Sequence, residues 1–378
     1  MRAIASPRMP VGEIAARVWE VLTRRLDTFL FAAALALVGV GLVTLFSAAD
    51  QSLARVTSQA GSLCLAIIAM WVVANVPPQT LARVAVPLYI AAVLLLVGVA
   101  LFGVVVNGSR RWLSLGVARI QPSELMKIAL PMMLAWYFQR FEGRIRWHDF
   151  VIAAVLIVIP VFLIKRQPDL GTALLIAASG FYVLFLAGLS WKIIGGLGVL
   201  AAAAGPFLWA HVLHDYQRER VLTFIDPSRD PLGAGYHSSQ ASIAIGSGGV
   251  IGKGWLNGTQ THLDFLPERH TDFIFAVFGE EFGLIGNALL LLLYVLLIGR
   301  AMVITANAST MFSRLLAGSV TLMLFTKVFV NMGMVSGVLP VVGVPLPFVS
   351  YGGTALVSMF IGVGILMSVQ ANRKLVNT

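Results

Sequence analysis

Long apolar runs separated by short polar breaks dominate this chain. Ten mostly apolar segments of about 17–25 residues, long enough to cross a bilayer as helices, lie near 28–49, 58–76, 84–106, 122–139, 150–165, 171–189, 192–212, 272–299, 314–337 and 350–370. The pattern predicts an all-α polytopic membrane protein with about ten transmembrane helices and one domain over 28–370, flanked by a segment at 1–27 and a tail at 371–378. The first apolar run is too long, and its charged lead of 27 residues too large, for a cleaved signal peptide. The seventh and eighth helices are separated by 213–271, the one long loop, and structured loops of that length are usually functional.

Composition narrows the class. Hydrophobic residues make up 58% of the chain and charged residues 12%, so no soluble core could absorb the apolar surface. With the N-terminus inside, 14 Lys and Arg residues fall on cytoplasmic segments and six in the short loops opposite, which orients both termini to the cytoplasm. The net charge of +10 is partly this retention signal and argues no nucleic-acid partner. The single cysteine, Cys64, lies in the second helix and removes disulfides from consideration.

Candidate chemistry gathers where polar residues meet apolar ones. Leu266–Phe275 sets Glu268, Arg269, His270, Thr271 and Asp272 directly against the eighth apolar run. Asp272 reads either as a helix cap or as a reactive carboxylate, and Asp169, at the start of the sixth helix, has the same two readings. Glu124 and Lys127 are three apart, one turn along a helix face, and can pair. Glu280, Glu281, Lys327 and Asn331 are polar groups within helices, and such groups normally face a partner or a wet cavity. Residues 233–258 carry eight glycines. Gly252-Lys253 is not a phosphate loop, because the preceding glycine spacing is wrong and Gly254 stands where Ser or Thr is required. A glycine-rich backbone tucked into a membrane-facing groove is the expected use, with a plain flexible loop as the alternative. The last loop, Pro340–Pro347, holds three prolines and cannot be regular helix. No nucleotide fingerprint, His/Cys metal cluster or Ser-His-Asp arrangement is legible.

Five motifs in order carry a resemblance: Gln121-Pro122-Ser123-Glu124 with Lys127, Gln167–Thr172, Asp226-Pro227 through Tyr236, Leu266–Phe275 and Gly343–Gly353. Together they resemble the SEDS family (shape, elongation, division and sporulation). Pro340–Pro345 and Arg269 resemble its elongation, RodA-type branch more than its division branch. The resemblance implies a ten-helix polymerase that joins the disaccharide units of lipid II into glycan strands for cell-wall elongation and rod shape, in the bacterial inner membrane. It implies that Asp272 is the essential acid, that Asp169 is a second polar residue of the same cavity, and that Glu124 and Lys127 form a functionally sensitive pair. The implied partners are a class B penicillin-binding protein, the elongation machinery and membrane lipid.

The residues fit such a reaction. On an outer face no nucleotide sugar is at hand, so an activated donor must arrive attached to lipid. Asp272 is the expected general base for the acceptor hydroxyl. Arg110, Arg111, Arg218, Arg220, Lys253 and Arg269 are candidate cations for the departing pyrophosphate, since an arginine fork suits phosphate oxygens. Direct displacement inverts an α-linked donor to a β-(1,4) product. A divalent cation (Mg or Mn) could share the pyrophosphate charge, although no ligand set is legible and no cofactor is required by the sequence. Two other functions use the same polar helices: a lipid II flippase, and a non-catalytic scaffold for the transpeptidase. Few polar residues on the inner halves of the helices favour the enzyme over the flippase.

Overall fold

The computed structural model describes residues 24–373, apart from 107–108, 115–118, 168, 212–214, 227–233 and 263–267. Helices α1 (Thr28–Ala48), α2 (Leu53–Asn75) and α3 (Pro78–Phe102) are followed by a ribbon of β1 (Val104–Val106), β2 (Ser109–Ser114) and β3 (Arg119–Ile120). Next come α4 (Pro122–Arg140), α5 (Trp147–Lys165), α6 (Leu170–Leu186) and α7 (Trp191–His211), then the shorter α8 (Asp215–Ile225), α9 (Ala234–Ser247) and α10 (Thr259–His262). The chain ends in α11 (Ile274–Ala306), α12 (Met311–Val335) and α13 (Gly353–Ala371).

All ten expected segments are helices, and their true ends follow local signals. Pro78 and Pro122 start α3 and α4 at the first turn, where a missing N–H costs nothing. The Asp27 carboxylate caps α1 by accepting from Leu30 N at 2.9 Å. It also accepts from Arg300 Nη2 at 2.5 Å, which ties the start of α1 to α11. Seven of the helices are long and apolar enough to cross a membrane by length and composition. The other three are α4, which carries Glu124 and Lys127, and the shorter apolar stretches of α6 and α7. The α3–α4 connection is not plain loop but an antiparallel ribbon in the order β1-β2-β3.

Two apolar cores lie side by side. One gathers residues of α1, α2, α11, α12 and α13, with Tyr294 and Phe360 fully buried. The other gathers α3, α4, α5 and α6 around Phe138 and Phe312. Small residues let these helices approach closely, which replaces the water-driven association that lipid does not supply.

The departure from plain spanning helices is in α11, which is broken at Gly283 (φ 64°, ψ −161°). Such a break orphans the helical bonds that should join residues 280–281 to residues 284–285, and in lipid those groups must find partners. The glycine-rich strand after α9 supplies all of them. Lys253 N and Gly254 N donate to the Glu280 and Glu281 carbonyls at 3.1 and 3.0 Å, while Leu284 N and Ile285 N donate to the Gly249 and Val250 carbonyls at 3.0 and 3.1 Å. The glycines permit the approach: a Cβ on Gly252 would sit 2.1 Å from the Glu281 carbonyl oxygen. The expected groove for the glycine-rich run is therefore the gap in α11. Gly252 also has φ +91°, so Gly252→Ala meets both backbone strain, about 1–3 kcal/mol, and a collision with main chain that cannot turn aside. The expected result is a markedly lower melting temperature in detergent, whereas Gly246→Ala, with open space around its Cβ, should melt like wild type.

Candidate functional site

The proline loop between α12 and α13 organises one end of the bundle. Together with Asn331 of α12, it holds three consecutive carbonyls of the segment before α11. Tyr351 N donates to the His270 carbonyl at 2.9 Å. Ser350 Oγ donates to the Thr271 carbonyl at 2.6 Å and accepts from Leu346 N at 2.8 Å. Asn331 Nδ2, from buried α12, bridges the Asp272 carbonyl at 2.9 Å and the Val344 carbonyl at 2.7 Å. Tyr294 Oη donates to the Pro347 carbonyl at 2.6 Å, which fixes the far side of the loop to α11. Proline rigidity and these bonds make this loop a template and not a flexible link.

Asp272 and Asp169 lie against that template from two directions. The Asp272 carboxylate packs on Gly343, where an added Cβ would stand 3.3 Å from Asp272 Oδ2. Asp272 is partly exposed and does not cap α11, whose N-cap is Phe273. Asp169 does cap its helix, accepting from Thr172 N at 3.1 Å. It also faces Arg111 at 3.5 Å. Two residues on, Gly171 abuts the Val342 carbonyl, where a Cβ would lie 2.6 Å away. Residues 342–343 therefore separate the start of α6 from Asp272.

A second polar cluster lies beneath the loop. Glu124, in the first turn of α4 where the helix dipole favours an acid, pairs with Lys127. Its other oxygen accepts from Ser358 Oγ of α13 at 2.7 Å. Lys327 of α12, 2% exposed, is electrostatically coupled to both Glu124 and Lys127 and reaches Met359 Sδ at 3.7 Å. One acid thus serves two buried lysines. A small cavity lined by Lys327, Pro345, Pro347 and Ser350 joins this cluster to the template loop.

The cations expected to form one clamp are dispersed. Lys253 is bound by Glu280 at 2.7 Å, because the glycine-rich strand carries it into the break of α11. Arg269 is buried against Asp50 at the α1–α2 turn. Arg218 Nη2 donates to the Ala210 carbonyl at 2.9 Å near the end of α7. Arg111 stands 3.5 Å from Asp169. The side chains of Arg110 and Arg220 lie outside the described residues, as does Pro168. Sequence reasoning missed Asp50, Ser358 and Gln59, whose side chain holds both Gly352 N and the Ser350 carbonyl, at 3.2 and 3.3 Å. Nothing local marks these residues, because each acts on a partner far away in the chain. Among the described residues no three His, Cys, Asp or Glu side chains gather to hold a metal ion.

His270 stands edge-on to Tyr351, with ring centres 5.9 Å apart. Burial, then the nearby Arg55, holds its pKa below the ordinary 6.5, with Arg269 adding to this and Glu268 opposing it. A lowered histidine pKa means the folded form binds the proton less tightly than the unfolded form. Stability from this group is therefore intact above about pH 6.5 and is lost as pH falls through and below it. Thermal melts in detergent should drop between pH 7.5 and pH 5.5, and His270→Gln should remove part of that drop. An identical pH dependence in the variant would show that other groups carry it.

Comparison with known proteins agrees along nearly the whole length. The family model described as cell cycle protein, which groups FtsW, RodA and SpoVE, matches residues 24–375. The peptidoglycan glycosyltransferase MrdB of Escherichia coli K12 is 51% identical over 352 residues, covering 93% of this chain and 95% of that protein. A probable peptidoglycan glycosyltransferase FtsW of Geobacter metallireducens is 35% identical over 363 residues, 93% of this chain and 96% of the relative. Among solved structures, a chain from a peptidoglycan synthase complex that coordinates polymerisation and crosslinking superposes with a TM-score of 0.81 at 34% identity, covering 92% of this chain and 98% of that one. The rod shape determining protein RodA of Thermus thermophilus superposes at 0.69 with 32% identity, covering 92% and 97%. The ten-helix body, the motif order and these matches agree: the chain is an integral membrane protein belonging to the FtsW/RodA/SpoVE family of cell cycle proteins.

Proposed function

We propose that this protein is a peptidoglycan glycosyltransferase that polymerises glycan strands from lipid II at the outer face of the bacterial inner membrane, in partnership with a class B penicillin-binding protein of the elongation machinery. The observation that carries the reading is Asp272: a carboxylate just outside the N-cap of α11, presented beside Gly343 by a backbone whose carbonyls at His270, Thr271 and Asp272 itself are all fixed. A base so held needs little reorganisation to take the proton of an acceptor hydroxyl. Removal of that proton as the acceptor oxygen attacks the anomeric carbon expels the undecaprenyl-type pyrophosphate and inverts the centre. Charge builds on the leaving phosphate, and Arg111 beside Asp169 is the cation best placed to meet it. Apolar helix faces at the same end accept the lipid tail.

The test is reconstitution of the purified chain with lipid II and a partner whose transpeptidase serine is inactivated. The expected product is long uncrosslinked glycan. Labelled lipid II that crosses proteoliposomes without polymerising would instead support a flippase. Equal polymer with and without this chain would leave it a scaffold.

A further inference from the structure

We infer that the pair of Lys253 with buried Glu280 is a positioning device for Asp272, and not part of a phosphate clamp; the inference rests on Asp272 being the base. Glu280 is fully buried in the half-helix that follows Asp272. One of its oxygens, Oε1, accepts from Lys253 Nζ at 2.7 Å, from Thr259 Oγ1 at 3.2 Å and from Gln260 N at 2.9 Å. Lys253 Nζ also donates to Thr259 Oγ1 at 2.7 Å, so the three groups close on one another. Gln260 and Glu280 are 20 residues apart, and Asp272 lies inside the excursion that this contact closes.

The broken helix makes the contact consequential. In a continuous helix, main-chain bonds across residues 280–285 would set the direction of the outer half from the inner half. At Gly283 those bonds are handed to the glycine-rich strand. The orientation of the outer half-helix therefore depends on that strand, and the strand is joined to it by side chains at Lys253–Glu280. Glu281 adds a tie on the other side, accepting from Ser47 of α1 and from Leu256 N at 3.2 Å. The template loop holds the Asp272 backbone from above; the Lys253–Glu280 pair sets the axis from below.

Removing one partner alone would bury an uncompensated charge and confuse folding with positioning. The informative variant is Glu280→Gln with Lys253→Met, which removes both charges together. With lipid II and a transpeptidase-inactive partner, the double variant is expected to melt within a few degrees of wild type. Its kcat should fall at least tenfold while KM for lipid II stays within about twofold, and the acidic limb of its pH profile should move as the Asp272 surroundings change. A wild-type kcat in a folded double variant overturns the inference. Should the double variant not fold, Glu280→Asp decides: it keeps the charge but shortens the reach, and must show reduced kcat with unchanged KM, or the inference fails. Asp272→Asn is run alongside. If that variant polymerises normally, the reading of Asp272 has failed; if it is inactive while the pair variants are not, only the positioning role has.

Discussion

Asp272→Asn is expected to lower glycan polymerisation by about 10²–10⁴-fold, the range for loss of a general base, while leaving the protein folded and bound to its partner. The geometry isolates the chemistry unusually well. The N-cap of α11 is Phe273, so the substitution leaves the N-cap residue unchanged. The bond from Asn331 goes to the Asp272 carbonyl, which the variant retains. Asparagine has nearly the same volume against Gly343 but cannot accept the proton. Asp169→Asn should behave differently: asparagine caps as well as aspartate, so helix α6 stays formed, and the lost charge is felt through Arg111 as a partial fall in rate. Turnover measured on purified protein, paired with a melting curve, separates the two. Near-wild-type turnover in Asp272→Asn would end the assignment.

Glu124→Ala is expected to be the most destabilising single change in the helical body. It strands two buried ammonium groups, Lys127 and Lys327, beside each other with their shared acid gone, and breaking one partner from a buried pair typically costs about 3–5 kcal/mol. It also orphans the Ser358 hydroxyl contact between α4 and α13. Lys127→Met should cost clearly less, because Lys327 remains to balance Glu124. That asymmetry follows from one acid between two bases and would be absent from an isolated pair. Thermal or denaturant unfolding in detergent checks it. Equal losses for the two variants would mean that Lys327 does not share the charge. A Glu124→Ala protein that melts like wild type yet makes no polymer would instead point to a direct role in turnover.

These outcomes also divide what was legible in the chain from what was not. The pairing of Glu124 with Lys127 was legible because i,i+3 neighbours on a helix must meet, wherever that helix lies. Asp169 as a cap was legible for the same local reason. Asp272 looked identical by those rules, beside an apolar run in the same way, yet it lies one residue before the N-cap of its helix, Phe273. The difference comes from Ser350, Tyr351 and Asn331, which hold the backbone short of the helix.

Helix number and approximate span were determined by the sequence alone, since the length of an apolar run must match the bilayer and each helix satisfies its own backbone. The motifs likewise determined the family. The fate of the cations was decided only by the tertiary structure. Lys253 finds its acid 27 residues away and Arg269 finds Asp50 at a separation of 219, distances over which no periodicity carries information. The break in α11 belongs to the same class. A lone Gly283 is as compatible with an unbroken helix as with a gap, and what opens the gap is a glycine-rich strand able to bring four backbone partners to it. Backbone groups in lipid must be satisfied by something, and only the folded chain decides whether that partner is one turn away or one loop away.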